Sequence, residues 1–230
     1  MSIAENIAQV RANMSEAARE AGRDPGEILL VGASKMNDAA ACREAIAAGI
    51  DALGENRVQE MVKKLAEHAY DGAPLHFIGH LQRNKVKQVV GQAALIQSVG
   101  SLELLEEIEK VAAARELTQD ILLEVNVGRE AAKSGFAPEE TFAAAEAALG
   151  KSHVRVRGLM TIPPADADRD TNMRYFEKVR TLYVDINAKL FHNGLEYLSM
   201  GMSGDYADAI RCGATMVRVG TAIFGARHYL

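Results

Sequence analysis

Short apolar runs alternate along the chain with longer stretches of helical spacing. The runs are ILLVGAS (28–34), DALGE (51–55), LHFIG (75–79), LIQSV (95–99), DILLEVNV (120–127), RVRGLMTI (155–162), LEYLSMG (195–201) and TMVRVG (215–220). Helical patterns fall between them at 38–48, 56–69, 101–116, 138–149, 171–192 and 204–212, with a short one at 82–91. Ahead of the first run, residues 1–22 carry Ile3, Ile7, Val10 and Met14 on one helical stripe, and Ser2 with Glu5 has capping-box spacing. Strand then helix, repeated, implies parallel strands joined by crossover helices. Eight such units predict a closed (β/α)8 barrel, a fold of about 250 residues. The expected layout is one domain over 1–230, with the barrel at 27–227 and the first helix packed outside it. A doubly wound open sheet is the alternative. The count of eight argues against it, as does the lack of a GxGxxG turn after the first strand.

Barrel enzymes and binding proteins work at the C-terminal ends of their strands. Here those ends are polar. The first run stops on Lys35, which by strand alternation shares a face with Val31 and Ala33. A lysine there is ordinarily the first solvated residue after a strand. An amine desolvated at the mouth has a lowered pKa and becomes a nucleophile able to form a Schiff base.

The seventh and eighth runs lead into SMGMSGDYADAI and RVGT. Ser199, Ser203 and Thr221 offer hydroxyls, while Gly201, Gly204 and Gly220 let backbone N–H groups approach an anion. Ser203 or Asp205 is placed to cap a helix. These are turn and cap residues in the plain reading. On consecutive late strands of a barrel they are also the parts of a phosphate site. Arg218, in phase with Met216 and Gly220, faces inward. It is either half of an internal ion pair, with Glu55 or Glu124, or a donor aimed at a ligand. His80 reads as a polar strand-end residue and Asn56 as a helix cap. No motif signals a catalytic metal.

Composition narrows the partners. Hydrophobic residues make up 48%, charged residues 25%, and the net charge is −5. Nothing draws such a surface to a nucleic-acid backbone or an anionic membrane. No apolar run reaches membrane-spanning length, and the N-terminus lacks the pattern of a signal peptide. The two cysteines, Cys42 and Cys212, form no CxxC pair, which suits a reduced cytoplasmic setting.

An imine-forming amine, a phosphate cradle and an arginine at one barrel mouth describe a ligand with an aldehyde and a phosphate. Pyridoxal 5′-phosphate (PLP) is such a ligand. At this point VGASK, GENRVQE, HFIGHLQRNK, VNVGREAAKSG, RGLMTIP, LSMGMSGDYADAI and TMVRVGTAIFGAR, in this order, resemble the pyridoxal phosphate homeostasis family. That family consists of single-domain relatives of the alanine racemase barrel. The resemblance implies that Lys35 carries PLP as a Schiff base (an N6-pyridoxal phosphate lysine). It assigns Ser199, Met200 and Ser203 to the first half of the phosphate and ring environment, and Gly220 and Thr221 to the second. Arg218 matches the arginine facing the pyridine nitrogen, and Asn56, His80 and Met160 line the pocket. The chain departs from the family's usual pattern at Met36, Asn37, Asp38 and Arg57, all at the pocket rim.

The resemblance also implies a carrier acting in PLP homeostasis or transfer without substantial catalysis. Candidate recipients are apo forms of PLP-dependent enzymes, and the expected state is a monomer or weak dimer. A guanidinium only donates hydrogen bonds, so it keeps the ring nitrogen unprotonated and weakens it as an electron sink. Racemases of the related barrel also use a tyrosine base from an added domain, which this sequence does not show. A narrow-specificity racemase or decarboxylase, with His80 or Tyr206 as second acid/base, is one alternative. A cofactor-free Schiff-base aldolase is another.

Overall fold

The eight apolar runs all become strands, and they close on themselves. The computed structural model describes residues 1–225. Its strands are β1 (Leu29–Ala33), β2 (Ala52–Glu55), β3 (Leu75–Phe77), β4 (Leu95–Val99), β5 (Gln119–Val125), β6 (Val154–Thr161), β7 (Tyr197–Ser199) and β8 (Met216–Val219). They pair in chain order as a parallel barrel, closed where Leu29–Gly32 runs beside Met216–Val219. That closing pair excludes the open-sheet alternative. Part of the expected barrel limit, residues 226 and 227, lies outside the described residues.

The helices are α1 (Ile3–Glu20), α2 (Ala39–Ala47), α3 (Val58–Ala66), α4 (Val86–Val89), α5 (Leu102–Ala114), α6 (Thr141–Leu149), α7 (Arg169–Leu190), α8 (Tyr206–Arg211) and α9 (Thr221–Phe224). The helix expected at 82–91 is a 3-10 turn at Arg83–Lys85 running into α4. Among the described residues, no helix is long and apolar enough to cross a membrane.

Strand alternation divides the core into two shells. Val31, Ala52, Leu95, Leu122, Met160 and Met216 fill the barrel interior. Leu30, Leu53, Phe77, Ile96, Ile121 and Leu123 face outward and pack under the helices. Outside, α1 buries Ile7, Val10, Met14, Ala17 and Ala18 and lies against α2, α8 and α9. Its capping box is complete: Ser2 N–H donates to Glu5 Oε2 at 2.7 Å, and Glu5 N–H to Ser2 Oγ at 3.2 Å. Two asparagines bind it to the late helices. Asn6 Nδ2 donates to Ile223 O at 2.8 Å, and Asn13 Nδ2 to Tyr206 Oη at 3.0 Å.

Candidate functional site

Lys35 is half-buried, two residues beyond β1, and the turn around it is fixed from below. Asn37 N–H donates to Ser34 O at 3.1 Å, and Asn37 Nδ2 to Lys35 O at 3.0 Å. Beneath lies a buried cluster facing α3. Lys64 Nζ donates to Ser34 O at 2.8 Å and to Glu55 Oε1 at 2.6 Å. Ser34 Oγ and Tyr70 Oη also donate to Glu55 Oε1, at 2.5 and 3.1 Å. Glu55 therefore points away from the barrel axis and does not pair with Arg218.

Arg218 is buried in the interior, beside Val31 of β1. Its Nη1 donates to Ser199 Oγ at 2.6 Å and its Nη2 to Thr161 O at 2.9 Å. Both partners are neutral, so the ion-pair alternative is not met: among the described residues no carboxylate lies within salt-bridge distance of it. Desolvation pushes the guanidinium down to about 10, partly opposed by the fields of Asp205 and Glu124, so it stays charged at neutral pH. Ser199 in turn donates to Gln97 Oε1 at 2.7 Å. It thus sits inside the barrel under Arg218. Met160 lies in the interior apolar layer, beside Ser199 across β6 and β7. Met200 is one residue out of phase, and its side chain joins the outer core. Only its backbone belongs to the mouth.

The loops after β7 and β8 meet through Ser203. Its Oγ accepts from Gly220 N–H at 3.1 Å and Ala222 N–H at 3.4 Å, the N–H groups at the start of α9. Neither Ser203 nor Asp205 caps α8 through its side chain; Asp205 Oδ1 accepts from Met202 N–H at 2.6 Å instead. Thr221 is exposed beside this junction. A Cβ at Gly204 would meet no atom within 4 Å, and one at Gly220 only Ala33, at 3.4 Å. The ledge is open where a ligand's anionic group needs room.

Across the mouth, a cavity of about 590 Å³ is lined by Asn56, His80, Glu124, Asn126, Lys133 and Ser134, among others. His80 is exposed in it. Burial pushes the Glu124 carboxyl up, against a 2.9 Å hydrogen bond from Ser134 and the fields of Arg218, His80 and Lys133. Asn56 does not cap α3, whose N-cap is Arg57. Its Oδ1 is buried with no hydrogen-bond partner among the described residues. Gly79 presses on it from the loop after β3: a Cβ there would lie 2.2 Å from Asn56 O.

The family model described as "Alanine racemase, N-terminal domain" matches residues 6–228. The pyridoxal phosphate homeostasis protein of Pseudomonas aeruginosa is 45% identical over 227 residues, covering 99% of this chain and 96% of that protein. The protein of the same name from Aquifex aeolicus is 41% identical, with full coverage of both chains. The chain belongs to the pyridoxal phosphate homeostasis family. Among solved structures, family member PipY of Synechococcus elongatus, with PLP bound, superposes with a TM-score of 0.85 at 33% identity, over 97% of this chain and all of that one.

The positions where this family member departs from the usual pattern have local structural roles. Met36 is exposed with φ 62°, and its N–H donates to Glu60 Oε2 at 2.8 Å. Asp38 caps α2 by accepting from Ala41 N–H at 2.8 Å. Arg57 is exposed and reaches Glu60 at 3.7 Å. The sequence reading missed Lys64, Tyr70, Gln97 and His76. The signals were there: Lys64 interrupts the apolar face of α3 that buries Val58 and Met61, and Gln97 sits with Ser98 inside a short, fully buried strand. The second acid/base considered for Tyr206 is also corrected. That residue is buried in the outer core and tied to Asn13.

Proposed function

We propose that this one-domain protein binds PLP at the barrel mouth, holds it as a Schiff base on Lys35, and serves cytoplasmic PLP homeostasis or transfer without substantial catalysis. The observation that carries the reading is the meeting of β1 and β8. Val31 pairs with Arg218 and Gly32 with Val219, so the chain leading to Lys35, a buried guanidinium and the N–H ledge at Gly220 share one side of the mouth. The residues fit the group. The ledge has open space, Asn56 presents an unpartnered buried oxygen, and Arg218 has no carboxylate to neutralise it among the described residues. The names and the PLP-bound structure among the relatives support the same ligand.

In this reading PLP would supply an aldehyde, and the Lys35 amine would be the group that holds it. Ser203, Gly220 and Thr221 take the phosphate. Arg218 donates to the ring nitrogen and keeps it unprotonated, which disfavours chemistry that leans on a strong electron sink. Asn56 and His80 line the approach.

The test is a visible spectrum of protein incubated with PLP, beside Lys35→Ala, followed by borohydride reduction and peptide mass analysis. The expected result is a yellow adduct reduced onto Lys35 and absent from the variant. A colourless wild type, or label on another lysine only, overturns the binding reading. Amino acid α-proton exchange in deuterium oxide above the rate of free PLP, lost with Lys35→Ala, overturns the non-catalytic one.

A further inference from the structure

The interior polar groups form one chain of hydrogen bonds through the barrel, and its direction is fixed. Arg218 Nη1 donates to Ser199 Oγ, Ser199 Oγ to Gln97 Oε1, and Gln97 Nε2 lies 3.0 Å from His76 Nδ1. The second Gln97 Nε2 hydrogen meets Met216 Sδ at 3.1 Å. All four residues are buried.

Guanidinium cannot accept, so Ser199 must receive the Arg218 hydrogen on a lone pair. The Ser199 proton then needs its own acceptor, and Gln97 Oε1 is there. A flipped Gln97 amide would strand that proton and turn its oxygen toward the Met216 sulfur. The unflipped amide satisfies both ends and leaves Gln97 Nε2 donating to His76. Nδ1 must therefore be the bare nitrogen and Nε2 the protonated one.

We propose that Gln97 and His76 are positioning residues for Arg218, and that the neutral, Nε2-protonated imidazole of His76 is the fixed end of a one-way chain that aims the guanidinium at the cofactor. The proposal rests on the reading that Arg218 faces the PLP ring. A hydroxyl rotates freely unless its proton is committed, and a long arginine in an apolar barrel has many rotamers. Gln97 commits the Ser199 proton, so the Ser199 lone pairs stay on Arg218. His76 and Met216 hold Gln97 against flipping. Thr161 O takes the second guanidinium arm. His76 also lines a cavity of about 190 Å³ at the opposite end of the barrel, with Asp51, Asp120, Arg157 and Tyr197, so the chain runs from the mouth to the floor.

The experiment has two arms. In ligand-free protein, 15N NMR of the His76 ring should show a pyridine-type Nδ1 and a pyrrole-type Nε2, with that preference lost in Gln97→Met. In the PLP-loaded protein, Gln97→Met and His76→Leu should weaken PLP binding about tenfold, the size of one lost hydrogen bond to a charged chain, and shift the visible band. His76→Asn, whose side-chain oxygen replaces Nδ1 as acceptor, should stay within about twofold of wild type. A protonated Nδ1 in the wild type overturns the proposal. So do wild-type affinity and spectrum in Gln97→Met, or equal losses in His76→Asn and His76→Leu. If wild type itself forms no PLP adduct, the binding reading fails, while the NMR arm still decides the direction of the chain.

Discussion

The Lys64 ammonium lies 2.6 Å from Glu55 Oε1, both side chains buried, and it also holds the carbonyl of Ser34, the residue before Lys35. Breaking such a pair leaves one charge stranded in the core. Lys64→Met should therefore destabilise the protein by about 3–5 kcal/mol, read from urea unfolding. Glu55→Leu in the same chain should restore part of that loss, because the stranded carboxylate is then gone.

Desolvation pushes His76 down to about 4, so the folded protein keeps it neutral while the unfolded chain protonates it near the ordinary histidine value of 6.5. Between those two values the unfolded state binds more protons, so stability falls as pH falls through that window and levels off below it. The contribution is on the order of 3 kcal/mol. Urea titrations from pH 7 to pH 4 should show a shallower decline in His76→Asn than in wild type.

Burial pushes both thiols up: Cys42 is on the buried face of α2 near Ser34 and Lys64, and Cys212 follows α8. Reaction requires thiolate and access. A disulfide reagent should label neither thiol quickly in native protein at neutral pH, and both at once in urea. Prompt labelling of Cys42 in native protein would contradict its placement.

Gly79 lets the end of β3 rest against the backbone of Asn56, where a Cβ would lie 2.2 Å from a carbonyl oxygen. Backbone cannot step aside as a flexible side chain does. Gly79→Ala should cost about 3 kcal/mol and weaken PLP binding, because the strain falls on the mouth. Calorimetry and PLP titration read the two effects separately.

The barrel was legible because parallel strands buried on both faces write continuous apolar runs, and crossover helices write a different period. Lys35, Ser203 and Gly220 stand out in the sequence because they follow strands, and Arg218 because it is a charge inside one. The supports were harder to see. Lys64 reads as an ordinary surface lysine until α3 is laid on β2, and only then does Glu55 face it. Gln97 and His76 come from neighbouring strands whose mutual register no local pattern states. Met200 shows what a motif leaves out: it adjoins Ser199 in sequence, while alternation turns its side chain to the other shell.

The two asparagines of α1 hold groups near the far end of the chain, Ile223 and Tyr206. During synthesis α1 leaves the ribosome well before its docking surface on α8 and α9. The same delay applies to β1, which waits for β8. A nascent chain must therefore carry an exposed amphipathic helix and an open sheet edge until those late elements emerge. The mouth closes only once β8 and α9 are available, so a chain interrupted before them lacks both the ledge and the helix contacts that support it.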